Sequence, residues 1–195
     1  MTDPKQKLEK ILLEDNIIES INKNKQFLLT IIPELNDIIG FEHKHPHHHL
    51  DVWNHTLLSL DYSCNDFDLR LCLLLHDIGK PHSYQEGNIR HFKGHPNVSS
   101  YISKNILDRL GYDKKYIEEI CYLIKNHDNL ITYYDILNNF ELSFKRYLIQ
   151  YCDALAHNPE QLEKRKKYLK NTLEIIKEYK PNIDNKIKTK IKVNL

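Results

Sequence analysis

The chain has 195 residues, of which 41% are hydrophobic and 28% are charged, and its formal net charge is +1 at pH 7. This length is enough for one domain with a substantial core, and no apolar run reaches the roughly 18 residues that a membrane-spanning helix needs. The polar N-terminal segment lacks the apolar centre of a signal peptide. The four cysteines form no CxxC pair, which argues against a disulfide framework or a Cys-zinc site. We therefore expect a cytoplasmic protein with reduced thiols and no contact with a membrane.

The small net charge hides an uneven distribution. From Glu163 to Leu195 there are eleven Lys/Arg and four Asp/Glu residues. Such a basic segment is compatible with nucleic-acid binding. The favoured interpretation is a solvated helix face followed by a basic tail, because few aromatic residues lie between the basic ones.

Apolar residues recur with helical spacing along the first half of the chain. The pattern predicts one long helix or two joined helices over Leu8–Ile32, followed by a histidine-rich loop over Gly40–Leu50. Asp51 is the predicted N-cap of the next helix. Asp68 is the predicted N-cap of an apolar helix that ends at Gly79, with a proline just beyond, as is common where helices stop.

The second half continues in the same way. Pro96 suits the first turn of a helix that ends at Gly111, and His95 is its predicted N-cap. Further helices are predicted over residues 114–127, 144–157 and 161–180. The C-terminal stretch KIKTKIKV alternates apolar and basic residues, so it is either a strand or, as we prefer, a frayed tail. The whole pattern predicts an all-α helical bundle.

Several polar side chains fall beside the apolar faces of these helices. A buried charge is costly unless it is paired or bound to a metal. Any one such histidine is most often a hydrogen-bonded core residue, but an adjacent His-Asp pair at the end of a buried helix offers the imidazole and carboxylate ligands that Fe, Mn, Zn, Co and Ni accept. The residues in question are His55, His76, Asp77, His95, His127 and Asp153.

These residues resemble a known pattern. The order H…HD…D, which occurs here as His55, His76–Asp77 and Asp153, resembles the HD-domain metal-dependent phosphohydrolases. His95 in FKGHP and His127 in IKNHD stand where the binuclear branch of that family has two further histidines. The resemblance implies an HD-domain helical bundle with a core at about 41–159, a helical extension over 5–39, and a basic helix and tail over 160–195, all in one domain.

A closer resemblance involves longer blocks. The segments KHPHHHLDVWNHTLLSL, LLLHDIGKP, HFKGHPNVS, IKNHD and YCDALAHNP are similar, in the same order, to the HD domain of bacterial tRNA nucleotidyltransferases and poly(A)-polymerase-like proteins. Those enzymes also carry an N-terminal nucleotidyltransferase domain with a G-S…D-x-D metal site. This sequence has no such motif before Phe41, so the resemblance implies a stand-alone HD domain and not the addition of a tail to tRNA.

The resemblance also implies roles for individual residues. One metal is held by His55, His76, Asp77 and Asp153, and a second by His95 and His127, with Asp77 bridging. Two divalent metals about 3.5–4 Å apart can activate a bridging hydroxide for attack on phosphorus. Asp77 and Lys80 are the predicted catalytic residues, with Lys80 steadying phosphate oxygens or, alternatively, only a helix-end charge. Predicted substrate contacts are Lys80, Arg90, His91 and Lys93, although solvated loop charges are the simpler interpretation of the last three.

The remaining polar residues near these motifs have less defined roles. Asp128 is either a partner that orients a metal ligand or a helix cap. His43, His45, His47, His48 and His49 are expected to lie mostly on the surface, with one or two packed near His55. His82 and His157 are expected to be structural or exposed.

The predicted site is compatible with three alternative functions. The leading hypothesis is hydrolysis of a phosphomonoester or phosphodiester in a nucleotide or at a nucleic-acid end. The alternatives are a di-iron oxygenase with the same ligands, and a non-catalytic RNA- or nucleotide-binding module with a structural metal. The sequence leaves open the metal (Fe, Mn, Co, Ni or Zn), the substrate and the oligomeric state.

Overall fold

The computed structural model describes residues 3–192, and its architecture is all-α, as predicted. Extended pairing within this range is limited to three isolated bridges. No helix between residues 3 and 192 is both long enough and apolar enough to cross a bilayer. The helices are α1 (Pro4–Leu12), α2 (Ile17–Lys23), α3 (Lys25–Ile31), α4 (Val52–Asp61), α5 (Phe67–Leu75), α6 (His95–Arg109), α7 (Lys114–Lys125), α8 (Tyr133–Asn138), α9 (Phe140–Leu155), α10 (Glu163–Tyr179) and α11 (Asp184–Lys188), with 3-10 turns at Pro33–Ile38, Lys80–His82 and Pro159–Gln161.

Two helices form the centre of the bundle. Every residue of α5 from Leu69 to Leu75 is buried, including Arg70, and the other six are apolar, as expected for a helix surrounded by the core. Helix α9 packs against α4, α5, α7, α8 and α10. The C-terminal ends of these two central helices carry the His-Asp pair and Asp153, so the core itself positions the candidate site.

The N-cap of α4 is the one predicted, but that of α5 is not. Asp51 Oδ1 accepts a hydrogen bond from Asn54 N at 2.7 Å. At α5 the N-cap is Asp66, which has an extended backbone and accepts from Leu69 N at 2.8 Å. The prediction of Asp68 is wrong because this residue already lies inside the helix, where its carboxylate accepts a hydrogen bond from the Tyr116 hydroxyl.

The turn after α5 also differs from the prediction. The helix ends at Leu75, and Gly79 has a right-handed backbone with φ of −85°, so it is not a left-handed helix stop. Its lack of a side chain serves a different purpose, because a Cβ there would lie 2.4 Å from Ser99 N in α6. Gly79 N donates to Ser99 Oγ at 2.9 Å. Helix α6 therefore lies directly on the turn that carries the His-Asp pair.

The start of α6 corrects a further prediction. Gly94 is the N-cap, with a left-handed φ of 82°, and His95 is the first helical residue. The predicted N-cap role of His95 is therefore wrong. The imidazole of His95 faces the end of α5, with its Nε2 3.2 Å from Asp77 Oδ1 and its Nδ1 2.9 Å from the Phe92 carbonyl oxygen.

The N-terminal segment forms three helices where the pattern predicted one or two. A break occurs before Asn16, which caps α2 by accepting from Glu19 N at 3.2 Å. Buried Arg70 of α5 ties this segment to the core, since its Nη1 donates to the carbonyl oxygens of Leu12 and Glu14, each at 2.7 Å. Its Nε donates to Ser63 Oγ at 3.1 Å.

The C-terminal segment is more ordered than predicted. Within KIKTKIKV, residues 186–188 belong to α11, and Ile191 forms an isolated bridge with Ser63. Backbone hydrogen bonds also join Cys64 N to Lys190 O at 2.8 Å and Lys192 N to Tyr62 O at 2.9 Å. The described part of this stretch therefore packs on the α4–α5 connection and is neither a strand of a sheet nor a frayed tail; residue 193 lies outside the described range. Helix α8 was not predicted.

Candidate metal centre

Asp77 lies at the centre of a group of four buried histidines. Its Oδ2 is 3.3 Å from His76 Nε2 and 3.6 Å from His55 Nε2. Its Oδ1 is 3.2 Å from His95 Nε2 and 3.9 Å from His127 Nε2. The two oxygens thus face two different pairs of imidazoles, which is the arrangement expected of a carboxylate that bridges two ions.

Asp153 completes the first of these two groups. Its Oδ1 is 2.9 Å from His55 Nε2 and 3.5 Å from His76 Nε2. The candidate ligand atoms of His55, His76 and Asp77 lie within 4.8 Å of one another, and so do those of Asp77, His95 and His127. The structure thus brings together all six side chains that the sequence singled out as ligands, at the meeting point of α4, α5, α6, α7 and α9.

Backbone carbonyls orient all four imidazoles. The Nδ1 atoms lie 2.7–3.2 Å from carbonyl oxygens of the chain. A carbonyl oxygen can only accept a hydrogen bond, so each Nδ1 carries the hydrogen and each neutral imidazole has its Nε2 lone pair directed inward. The four pairs are His55 with Ala156, His76 with Leu73, His95 with Phe92, and His127 with Ile124.

This arrangement leaves acceptors facing each other. The Nε2 atoms of His95 and His127 are only 3.2 Å apart, which is unfavourable for two lone pairs but expected for two ligands of one ion with bonds of about 2.0–2.1 Å. Asp77 Oδ1 and His76 Nε2 are buried without a hydrogen-bond partner among the described residues. Buried polar groups normally find partners, so the donor set fits a pair of divalent cations.

The electrostatics of the centre also favour positive charge. Burial opposes the charge of Asp77, but attraction to His76 and Lys80 holds its pKa well below the usual value. Burial likewise opposes the charge of His76, yet Asp77 and Asp153 raise its pKa to about 10. A proton on His76 thus occupies a position where a metal ion would compete for the same lone pair. Burial lowers the pKa of His127, which keeps its lone pair free.

Lys80 is held inside the centre by two partners. Its ammonium group is 2.6 Å from Asp77 Oδ2 and 3.0 Å from His43 Nε2. Since His43 Nδ1 donates to the Leu50 carbonyl at 2.8 Å, its Nε2 must accept from Lys80. Burial and the charge of Lys80 lower the pKa of His43 to about 2. His43 therefore orients Lys80 as a neutral acceptor.

The histidine-rich loop lies against the candidate metal centre on one side. His43 and His48 stack with ring centroids 3.8 Å apart, and His48 packs edge-on to His55 with centroids 4.9 Å apart. The other three are partly or largely exposed, namely His45, His47 and His49. This distribution agrees with the expectation that one or two members of the loop pack near His55.

The sequence did not single out two further residues of the site. His157, expected to be structural or exposed, places its Nε2 3.6 Å from Asp153 Oδ1 and can form a third ligand group with His48 and His55. Arg165 of α10 places Nη2 3.5 Å from Asp153 Oδ2. The spacing of four residues between Asp153 and His157 was a usable signal, whereas nothing distinguished Arg165 from the other basic residues of its segment.

Asp128 lies at the edge of the same group. Its Oδ2 is 3.5 Å from His95 Nε2 and 3.8 Å from His127 Nε2, and Arg165 Nη2 is 3.4 Å from its Oδ1. It does not cap a helix, because α7 already ends at Lys125. Of the two roles considered for Asp128, its contacts favour that of a partner for the ligands.

The centre opens into a cleft of about 900 Å³, and the predicted substrate residues lie along it. Lys80 is at its floor, whereas His91 and Lys93 are exposed on its wall. The Arg90 guanidinium is already engaged, since it donates to the Glu42 carbonyl at 2.7 Å and to Glu86 Oε2 at 3.0 Å. Arg90 therefore holds the loop that forms this wall.

Comparison with known proteins assigns the family. The HD domain model matches residues 47–178. The chain is 31% identical to the CC-adding tRNA nucleotidyltransferase of Thermus thermophilus and 32% identical to the A-adding tRNA nucleotidyltransferase of Deinococcus radiodurans. Each alignment covers 49% of this chain and 24% of the relative, so the match spans about a quarter of those enzymes' length. The chain belongs to the HD-domain family, whose members are generally metal-dependent hydrolases.

Proposed function

We propose that this protein is a metal-dependent phosphohydrolase that cleaves a phosphomonoester or phosphodiester in a nucleotide or at a nucleic-acid end. One observation carries the proposal: Asp77 directs its two oxygens to two separate pairs of inward-facing imidazoles, with the Lys80 ammonium beside it. A purely structural metal site would need neither two groups of ligands nor an open cleft above them.

The ligands divide into two sets. His55, His76, Asp77 and Asp153 would hold one ion, and His95, His127 and the second oxygen of Asp77 would hold the other. When bound, such a pair of ions supplies a nucleophilic hydroxide near neutral pH and draws charge from the phosphoryl oxygens. His/carboxylate sets accept Fe, Mn, Co, Ni and Zn, so the donors themselves do not select among these metals.

The chain's own residues supply the remaining parts of the reaction. Lys80 is buried and held by Asp77 and His43, so its charge is fixed where phosphate oxygens would approach the centre and can stabilise the charge that develops there. His91 and Lys93, exposed on the cleft wall, are positioned to attract an anionic substrate. The names of the two relatives describe enzymes that act on tRNA, which supports a nucleic-acid end as substrate.

Metal analysis tests the proposal without knowledge of the substrate. We expect about two metals per chain in protein purified anaerobically without chelator, and about one in the His127→Ala variant. His49→Ala is a matched control, since His49 is exposed. One metal in both the wild type and His127→Ala would contradict the binuclear centre, and no metal after reconstitution would overturn the catalytic proposal.

A phosphoester screen with Mn, Fe, Co and Ni then tests the chemistry. Asp77→Ala should abolish both metal binding and turnover, because it removes the carboxylate that the two ligand groups share. Full activity in this variant would refute the assignment. Oxygen consumption with a mixed-valent iron signal would instead favour the oxygenase, and salt-dependent RNA binding without turnover would favour the binding module.

A further inference from the structure

The cleft extends well beyond the metal centre. At about 900 Å³ it is at the upper end of the volumes usual for ligand sites. Three of the substrate residues predicted from the sequence, Arg90, His91 and Lys93, lie on the loop before α6. Other basic side chains line the cleft from the end of α7 and the start of α10. We call these the α10 cation wall; they are Lys125, Lys164 and Arg165.

The residues of the cation wall are available to an anion. Neither Lys125 nor Lys164 forms an ion pair with any residue in the range 3–192, and both are exposed. Arg165 has only long contacts of 3.4 and 3.5 Å to Asp128 and Asp153, and its Nε atom is buried without a hydrogen-bond partner among the described residues. A guanidinium held this loosely beside a metal centre can form the paired hydrogen bonds that phosphate accepts.

An exposed apolar patch begins at the cleft and continues onto α8, which packs against α10. Leu130 lines the cleft and is 68% exposed, and the next turns of chain expose Tyr133 at 52% and Tyr134 at 74%. Leu137 of α8 is also exposed. We call these four residues the α8 apolar patch. Aromatic side chains beside a cationic groove are typical of proteins that bind single-stranded nucleic acids, because bases stack on the rings while the groove follows the phosphates.

We propose that the cleft binds a single-stranded nucleic-acid end of at least two nucleotides. The phosphate next to the reacting one lies on the α10 cation wall, and a neighbouring base stacks on the α8 apolar patch. A mononucleotide whose phosphate is at the metal centre would leave the wall and the patch unused. This inference rests on the proposed function and specifies its substrate class.

Binding measurements test the inference independently of turnover. The affinity of the full chain with its metals for labelled ten-nucleotide oligo-U and oligo-dT is measured by fluorescence anisotropy. The affinities for UMP and TMP are measured by competition against these probes. We expect the oligomers to bind at least tenfold more tightly than the mononucleotides. Gel analysis after each titration confirms that the probe is intact. Binding of either polymer agrees with the inference, and the stronger one identifies the sugar that the cleft accepts.

Variants separate the two parts of the surface. Lys125→Ala combined with Lys164→Ala should weaken binding about tenfold and reduce the slope of log K against log[salt] by about 0.7, the value for one phosphate contact in a single strand. Tyr133→Ala combined with Tyr134→Ala should weaken binding at least fivefold with an unchanged slope, because stacking releases no counterions. Lys170→Ala, on the same helix, and Tyr101→Ala, exposed on α6, are the matched controls.

The outcomes of these experiments distinguish this inference from the proposed function on which it rests. Mononucleotides that bind as tightly as the oligomers, or controls that weaken binding as much as the test variants, would overturn the inference even if phosphatase activity is found. Tight, wall-dependent binding of oligomers with no hydrolysis under any metal would overturn the proposed function and leave the nucleic-acid site in place.

Discussion

Gly79→Ala tests how closely α6 must approach the His-Asp turn. The added Cβ would lie 2.4 Å from Ser99 N, and 2.9 Å from both Ser99 Oγ and the Val98 carbonyl carbon. Two of these three atoms belong to the backbone, so the clash is relieved only if the start of α6 moves. Overpacking of this kind costs about 1–3 kcal/mol, and loss of the Gly79 N–Ser99 Oγ hydrogen bond adds about 1 kcal/mol.

The resulting loss of about 2–4 kcal/mol should lower the midpoint of thermal unfolding by about 5–15 °C in a chain of this length. Circular dichroism at 222 nm measures it. Gly87→Ala is the control, because its Cβ would meet the Ile89 carbonyl oxygen at 3.3 Å and Ile89 N at 4.0 Å in an exposed loop. The midpoint of this variant should stay within about 2 °C of wild type, as for most surface changes.

Metal content provides a second measurement on the same variant. His95 lies four residues before Ser99 on α6, and its Nε2 is 3.2 Å from Asp77 Oδ1. A shift of the helix should therefore reduce occupancy of the second metal group more than that of the first. A Gly79→Ala protein with a wild-type melting temperature and unchanged metal content would refute the close-approach explanation.

Three further predictions concern other polar groups of the core and its edge. Although burial opposes its charge, the ion pair with Lys190 lowers the pKa of Asp66 in the folded protein. The stabilisation is fully present above the unfolded-state pKa near 3.8 and is lost as the pH falls through the folded-state pKa. Asp66→Asn should therefore make the free energy of unfolding, measured with urea, vary less with pH between pH 2 and 6. Arg70→Met should cost about 3 kcal/mol in the same assay at pH 7, because it leaves buried acceptors unpaired; a loss below about 1 kcal/mol would contradict this. His43→Phe should lower kcat about tenfold, equivalent to about 1.4 kcal/mol of transition-state stabilisation. His43→Gln retains a hydrogen-bond acceptor for Lys80 and should keep most of the wild-type kcat. Equal losses of kcat in the two variants would show that His43 acts only by filling space.

The fold was largely predictable because helical periodicity is a local signal. The apolar helix α5, the N-cap at Asp51 and the helical character of α6, α7, α9 and α10 all follow from residues close together in the chain. Details that depend on distant contacts were not accessible in this way. Asp66 and Asp68 offer the same carboxylate, and only the backbone conformation before α5 decides which one caps it.

In the candidate site, too, the local features were predictable from the sequence and the features that depend on distant contacts were not. The six proposed ligands stand out because each is a polar residue beside an apolar face, and motif order relates them to one another. Arg165 lies on α10 and reaches the centre only because this helix packs against α9. The role of Gly79 was misjudged for a related reason, since a glycine before a proline has the same local pattern whether it ends a helix or admits a neighbouring one.

The buried guanidinium of Arg70 determines how much of this chain must be present for the HD domain to fold. The match to the HD domain begins at residue 47, but the carbonyls that bind this cation belong to Leu12 and Glu14. A chain shortened to the matched region would keep a charged group in its interior with two of its three acceptors gone. We expect that the N-terminal helices cannot be lost or exchanged in evolution, as a peripheral module could, unless position 70 changes at the same time.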